Sequence, residues 1–211
     1  MSLPHLRVIV LAAQRPGIID PLAARFGVSH KCLVPLNGRA LMAYVVETAA
    51  CHPAVESVVI SVEPAAFHLV EHALPKASQA SSAIVFSAAA DNLADSVREA
   101  AAGHDGPMLI TTADNPLLTM HSIDAMAVAL ADSDVALAMA PRDAVLAAHP
   151  NGQRRFYGFR DGEYFNCNLY GIASNRALSA ADVFRGGGQF AKKASRIIAA
   201  FGLLNLLLLR L

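Results

Sequence analysis

The residues best suited to chemistry sit in two short stretches. In the first, an apolar run over residues 6 to 13 breaks into Gln14-Arg15-Pro16-Gly17, and Lys31 returns shortly before Leu33-Val34-Pro35-Leu36-Asn37-Gly38. A buried strand that opens into a cationic loop, followed by a lysine, is suited to holding a chain of phosphates. Positioned cations and backbone N–H donors stabilise the charge that builds up when a phosphoryl group is transferred. Gly17 and the amides between Gln14 and Gly17 can form an anion-binding concavity, and Arg15 and Lys31 are the candidate cations. The plainer alternative is that both are surface residues. In the second stretch, Leu109-Ile110-Thr111-Thr112-Ala113 ends in Asp114-Asn115-Pro116. Ligands of open α/β sheets collect at the carboxyl ends of strands, so an acid there faces a cleft. Asp114 is the candidate metal ligand, because Mg2+ takes carboxylate and phosphate oxygens and keeps several waters. The alternative is that Asp114 opens a turn with Asn115 and Pro116.

These residues need a scaffold, and the sequence alternates in a way that supplies one. Val8-Ile9-Val10-Leu11 is continuously apolar, as a strand buried on both faces must be. Residues 38 to 50 read as a helix, 55 to 62 as a strand, 64 to 74 as a helix and 83 to 86 as a short strand. Asp91 or Asn92 caps a helix to about 102, residues 107 to 112 form a strand, Thr119 caps a helix to about 131, and 134 to 140 form another strand. This alternation predicts an α/β sandwich of three layers around a mostly parallel sheet. Beyond Pro141, two aromatic runs at 154 to 159 and 164 to 171 flank Asp161-Gly162 and predict a hairpin flap over the sheet, suited to lining an acceptor pocket. Gly186-Gly187-Gly188 marks a joint before a basic helix with Lys192, Lys193 and Arg196.

Composition excludes several classes. The chain has 211 residues, 55% of them hydrophobic and 16% charged, with 17 basic and 17 acidic side chains. It carries no basic surplus for nucleic acid, and its length suits one domain spanning 1–211. Cys32, Cys51 and Cys167 lack CxxC spacing, so neither a disulfide framework nor a zinc site is expected, and the cytoplasm is the expected compartment. No cationic leader with an apolar core opens the sequence. The apolar run at 197 to 211 falls short of the roughly 20 residues of a bilayer span and carries Arg210. A helix buried against its own sheet or against a second copy in a homodimer is expected instead. An incomplete carboxyl end is the alternative, since the run lacks a stop signal. No GxGxxG or Walker A pattern is present, which disfavours a dehydrogenase or a P-loop enzyme.

Taken together, Leu11-Ala12-Ala13, the loop with Arg15 and Gly17, Lys31 before Leu33 to Arg39, and Thr112-Ala113-Asp114-Asn115-Pro116-Leu117 resemble the MobA-like nucleotidyltransferases. That group includes molybdenum-cofactor guanylyltransferases, sugar-phosphate nucleotidyltransferases and methylerythritol-phosphate cytidylyltransferases. The resemblance covers residues 6 to 175 and implies a Rossmann-like nucleotidyltransferase fold. It implies that Ala12, Ala13, Gln14 and Gly17 cradle the nucleotide phosphates, that Arg15 and Lys31 neutralise them, and that Asp114 holds Mg2+. Asn92 and Ser96 resemble the segment that meets base and ribose in cytidylyltransferases, or else simply form a capped helix start. Asn168 resembles an acceptor-contacting asparagine, or else satisfies backbone groups. Two departures stand out. Gln14 replaces the usual first loop glycine beside a stiffening Pro16, and no acid follows Asp182 to serve as a second metal ligand.

The expected reaction is transfer of an NMP from an NTP, CTP or GTP, to a small phosphorylated acceptor with release of pyrophosphate. An ionised acceptor phosphate needs no strong base, so positioning and electrostatics carry the rate. A nucleotide-sugar-dependent glycosyltransferase is the rival enzyme class, but it calls for an Asp-x-Asp that Asp114-Asn115-Pro116 does not provide. A nucleotide-binding protein that kept the fold and lost turnover is the rival outside enzymes.

Overall fold

The computed structural model describes residues 5–14, 17–74, 82–152 and 155–184. Its first strand, β1 (Leu6–Leu11), turns Leu6, Val8 and Val10 into one core and Ile9 into another, all of them essentially inaccessible to solvent. A strand apolar on both sides has to lie in the middle of a sheet. After α1 (Pro21–Arg25), a small hairpin of β2 (Pro35–Leu36) and β3 (Arg39–Ala40) precedes α2 (Leu41–Ala50). The expected helix from residue 38 therefore starts only at Leu41. Asn37 and Gly38 take φ of 51° and 79°, the paired left-handed conformation of a two-residue hairpin turn, and the helix cannot begin until that turn is complete.

The next elements follow the expected alternation: β4 (Val55–Val62), α3 (Phe67–Ala73), β5 (Ala83–Ala88), α4 (Leu93–Ala101), β6 (Met108–Thr112), α5 (Met120–Ala129) and β7 (Val135–Pro141). Thr119 closes a capping box with Ser122 at the start of α5, each side chain bonding the other's backbone N–H. Then come α6 (Arg142–Ala148), β8 (Tyr157–Phe159), β9 (Gly162–Ile172) and a 3-10 segment, Asn175–Phe184. The main sheet has seven strands in the order β5-β4-β1-β6-β9-β7, with β8 paired to β9. β5, β4, β1 and β6 are mutually parallel, and β9 is antiparallel to β6 and β7. This is the mixed, mostly parallel, Rossmann-like α/β arrangement that the resemblance implies.

The aromatic hairpin does more than cover the sheet. Leu169 and Ile172 are buried in opposite cores, so β9 is apolar on both faces and enters between β6 and β7, leaving β8 alone as the flap. Because β9 runs against its neighbours, it enters at the edge where β1, β4, β5 and β6 end. The expected Gly-rich joint, the basic helix and the apolar run at 197 to 211 lie outside the described residues, as does Arg15. No helix among the described residues is long and apolar enough to cross a membrane.

A close approach inside β9 gives a stability test. A Cβ on Gly171 would come within 2.9 Å of Leu130 Cδ1 and 3.1 Å of its Cγ, in the packed contact between β9 and the end of α5. Gly171→Val should therefore destabilise the fold by about 1–3 kcal/mol through overpacking. The check is a lower urea midpoint with an unchanged denaturant slope.

Candidate active site

The parallel ladder carries three chain ends to one edge. The amide of Ala12 donates to the Ser61 carbonyl at 2.9 Å and that of Ala113 to the Leu11 carbonyl at 2.9 Å, so β1, β4 and β6 stay in register to their last residues. Glu63 follows β4, Ala12 to Gln14 follow β1, and Asp114 follows β6, with β1 in the middle. A 3-10 turn, Lys31–Leu33, is laid across this edge, and its buried Cys32 sits with Sγ 3.9 Å from the Ala12 carbonyl. Burial pushes the Cys32 thiol up to about 12, helped by the charges of Glu63 and Asp114, so it is an anchor and not a nucleophile.

The turn presents two consecutive side chains to the two flanking strands. Lys31 Nζ meets Asp114 Oδ2 at 2.5 Å, and His30 Nε2 meets Glu63 Oε2 at 3.3 Å. Glu63 also accepts the Gln14 amide on Oε1 at 2.9 Å, while His30, 7% exposed, has Nδ1 2.9 Å from Ser29 Oγ. Lys31 and Asp114, 83 positions apart (114 − 31), are thus in direct contact. Ala13 is exposed beside the buried Ala12, and Gly17 takes φ of 72° on the far side of Arg15 and Pro16, a left-handed turn open to glycine.

Asn92 and Ser96 lie at the same edge, after β5. Asn92 is the N-cap of α4, accepting the Asp95 amide at 3.0 Å and donating from Nδ2 to Asp95 Oδ2 at 2.7 Å. The buried Ser96 hydroxyl accepts the Ala90 amide at 2.9 Å and donates to the Asn92 carbonyl at 3.0 Å, which shapes the loop before the helix. Asn168 lies on the other side, exposed, with φ of 52° within β9. The register with β7 skips there, since Leu137 faces Tyr170 and Met139 faces Asn166. Asn166 Oδ1 accepts the Asn168 amide at 2.8 Å, and Asn115 Nδ2 donates to the Cys167 carbonyl at 3.1 Å and to Thr111 Oγ1 at 3.2 Å. The bulge that aims Asn168 at the edge is therefore tied to the turn that carries Asp114. A largely apolar cavity of about 170 Å3 opens here, its lining including Leu11, Leu93, Val97, Thr112, Asn168 and Tyr170.

With a lysine on the turn across this edge and an aspartate just after β6, the fold can be set beside known proteins. The family model of the MobA-like NTP transferase domain matches residues 8–193. The chain belongs to the MobA-like NTP transferase family. Among solved structures it is similar to a hypothetical transferase from Thermus thermophilus, with a TM-score of 0.68 and 22% identity over 98% of this chain and 83% of that one. It is also similar to 4-diphosphocytidyl-2C-methyl-D-erythritol synthase from Anaerococcus prevotii, with a TM-score of 0.60 and 10% identity over 93% and 82%. A third is CMP:2-keto-3-deoxy-manno-octonic acid synthetase complexed with CTP, with a TM-score of 0.58 and 13% identity over 96% and 85%. No curated protein matches the sequence.

For an NTP transferase of this family, the charge state of the edge matters. Burial opposes ionisation of Asp114, but the Lys31 hydrogen bond and charge outweigh it and hold the carboxyl below its ordinary 3.8. The Thr112 hydroxyl, which meets no partner at full hydrogen-bonding geometry, adds to the same effect. For Lys31, burial pulls down, and the bond to Asp114 together with the charges of Asp114 and Asp20 raises the group above 10.5. A depressed acid contributes stability that is lost as pH falls through its folded value, and a raised base contributes stability that is lost as pH rises through its own. The pair is therefore charged throughout the window between 3.8 and 10.5. Among the described residues, no three His, Cys, Asp or Glu side chains gather to hold a metal by themselves. A single ionised, partly exposed carboxylate fits Mg2+ whose remaining ligands are phosphate oxygens and water, and does not fit a closed zinc cage.

Removing the cation takes away the largest contribution that opposes burial. In Lys31→Met the Asp114 carboxyl should titrate higher than in the parent. Carbon-13 NMR of the carboxyl across pH checks this, and a midpoint that stays depressed would show that Lys31 is not what holds it down.

Proposed function

We propose that the chain is a single-domain, Mg2+-dependent nucleotidyltransferase that moves an NMP from CTP or GTP to a small phosphorylated acceptor. The observation that carries this reading is the Lys31–Asp114 contact at the carboxyl edge, at 2.5 Å, beside the loop that follows β1. The cytidylyl chemistry named for one structural neighbour and the CTP bound to another make CTP the first donor to try.

An oxygen of the acceptor phosphate attacks the α-phosphorus in line, the new P–O bond forms as the bond to the β-phosphate breaks, and pyrophosphate leaves with that electron pair. The acceptor oxygen is already ionised near neutral pH, so no side chain has to take a proton. Lys31, with Arg15, neutralises the phosphates; Ala12 and Gln14, whose amides are taken by the Ser61 carbonyl and by Glu63, fix the stem of the cradle, while Ala13 and Gly17 leave room for the phosphates to approach. Asp114 would hold Mg2+, which when bound supplies positive charge to the triphosphate. Asn92 and Ser96 set the loop against which the nucleoside would lie. Asn168, raised on its bulge, would contact the acceptor at the mouth of the neighbouring cavity.

The test is pyrophosphate release with each of the four NTPs and a panel of phosphorylated acceptors. Asp114→Asn should leave folding intact and lower turnover by about 100-fold or more, the scale seen when one electrostatic partner of a transition state is lost. Nucleotide binding with no pyrophosphate from any pair would instead identify a binding protein that has lost turnover. Equal turnover by Asp114→Asn in saturating Mg2+ would remove Asp114 from the site.

A further inference from the structure

We infer that Glu63, held by His30, is a positioning residue that fixes the stem of the loop after β1, an assignment that rests on the nucleotide reading above. Glu63 directly follows β4, the neighbour of β1 on the side away from Asp114. Its two carboxylate oxygens do different jobs: Oε1 takes the Gln14 amide at 2.9 Å, and Oε2 faces His30 Nε2 at 3.3 Å. A carboxylate accepting two hydrogen bonds on separate oxygens is fixed in rotation, so it holds the Gln14 amide in one place. His30 is itself buried and held through Nδ1 by Ser29.

The consequence concerns which donors are left for phosphate. An amide already spent on a carboxylate cannot also bind a phosphate oxygen, and a second anion at that point would be repelled by Glu63. The phosphates must then be met by donors other than the Gln14 amide, Lys31 among them, whose partner Asp114 lies on the opposite side of β1. Gln14 stands where a flexible glycine would otherwise begin the loop, and Glu63 supplies from outside the definition that such a stem needs. His30 and Lys31, adjacent in sequence, thus divide the work: one braces the stem through Glu63, and the other faces the phosphates.

The test compares Glu63→Ala with Glu63→Gln in the full chain, using CTP and GTP titrations, steady-state kinetics and hydrogen exchange of the Gln14 amide. Glu63→Ala should raise the KM for the NTP about tenfold, the size of one lost charge-assisted hydrogen bond, with kcat changed less than about threefold. Its Gln14 amide should exchange about tenfold faster than in the parent. Glu63→Gln keeps an acceptor for the Gln14 amide and can donate to His30 in its other tautomer, so it should recover most of the lost affinity. A purely structural role would lower the active fraction, and with it the apparent kcat, while leaving KM alone. Parent protein that binds neither nucleotide would overturn the nucleotide reading itself. Binding by the parent with an unchanged KM in Glu63→Ala would overturn only the role assigned to Glu63.

Discussion

The contact between Lys31 and Asp114 is where the rest of the structure converges. Their pairing is not set by local sequence. Asp114 is carried to the edge by a strand buried on both faces, and Lys31 is laid across the end of β1 by a turn that Cys32 pins against the Ala12 carbonyl. The pair works only because β1 lies between β4 and β6, so that a single turn can reach a carboxylate on either side. Opposite charges at 2.5 Å keep Asp114 ionised despite its burial, and in the proposed reaction an ionised acid at a strand end is what Mg2+ on a polyphosphate would require of this edge.

The same edge is finished by devices of different kinds on its two sides. Toward β5, Asn92 and Ser96 spend their polar atoms on the start of α4 and turn a loop into a fixed wall. Toward β9, a bulge holds Asn168 in a left-handed conformation, stabilised by Asn166 and tied to Asn115. Strain of this kind in a non-glycine residue persists where neighbouring bonds over-determine it, and such positions gather at functional sites. In the proposed reaction, one side of the edge receives the nucleoside and the other receives the acceptor.

Much of this was legible from residue types. The continuous apolar run of β1, the acid directly after β6, and the caps at Asn92 and Thr119 are local signals, and the elements appear where those signals fall. What depends on strand order was not legible. Glu63 obeys the same rule as Asp114, an acid directly after a buried strand, yet its pairing with His30 and Gln14 follows only once β4 is known to lie beside β1. His30 on its own reads as local structure. The entry of β9 between β6 and β7 was hidden for a related reason: its polar and aromatic first half reads as a flap, and only Leu169 to Ile172 reach the sheet's two cores.

In the proposed reaction the Lys31–Asp114 pair is the resting state of a nucleotide site. A crystal structure of the chain with Mg2+ and a non-hydrolysable α,β-methylene analogue of CTP or GTP tests it most directly. Lys31 Nζ should leave Asp114 Oδ2 for phosphate oxygens of the analogue while the Glu63–Gln14 contact persists. An analogue bound away from this edge, with the Lys31–Asp114 contact unchanged, would contradict it.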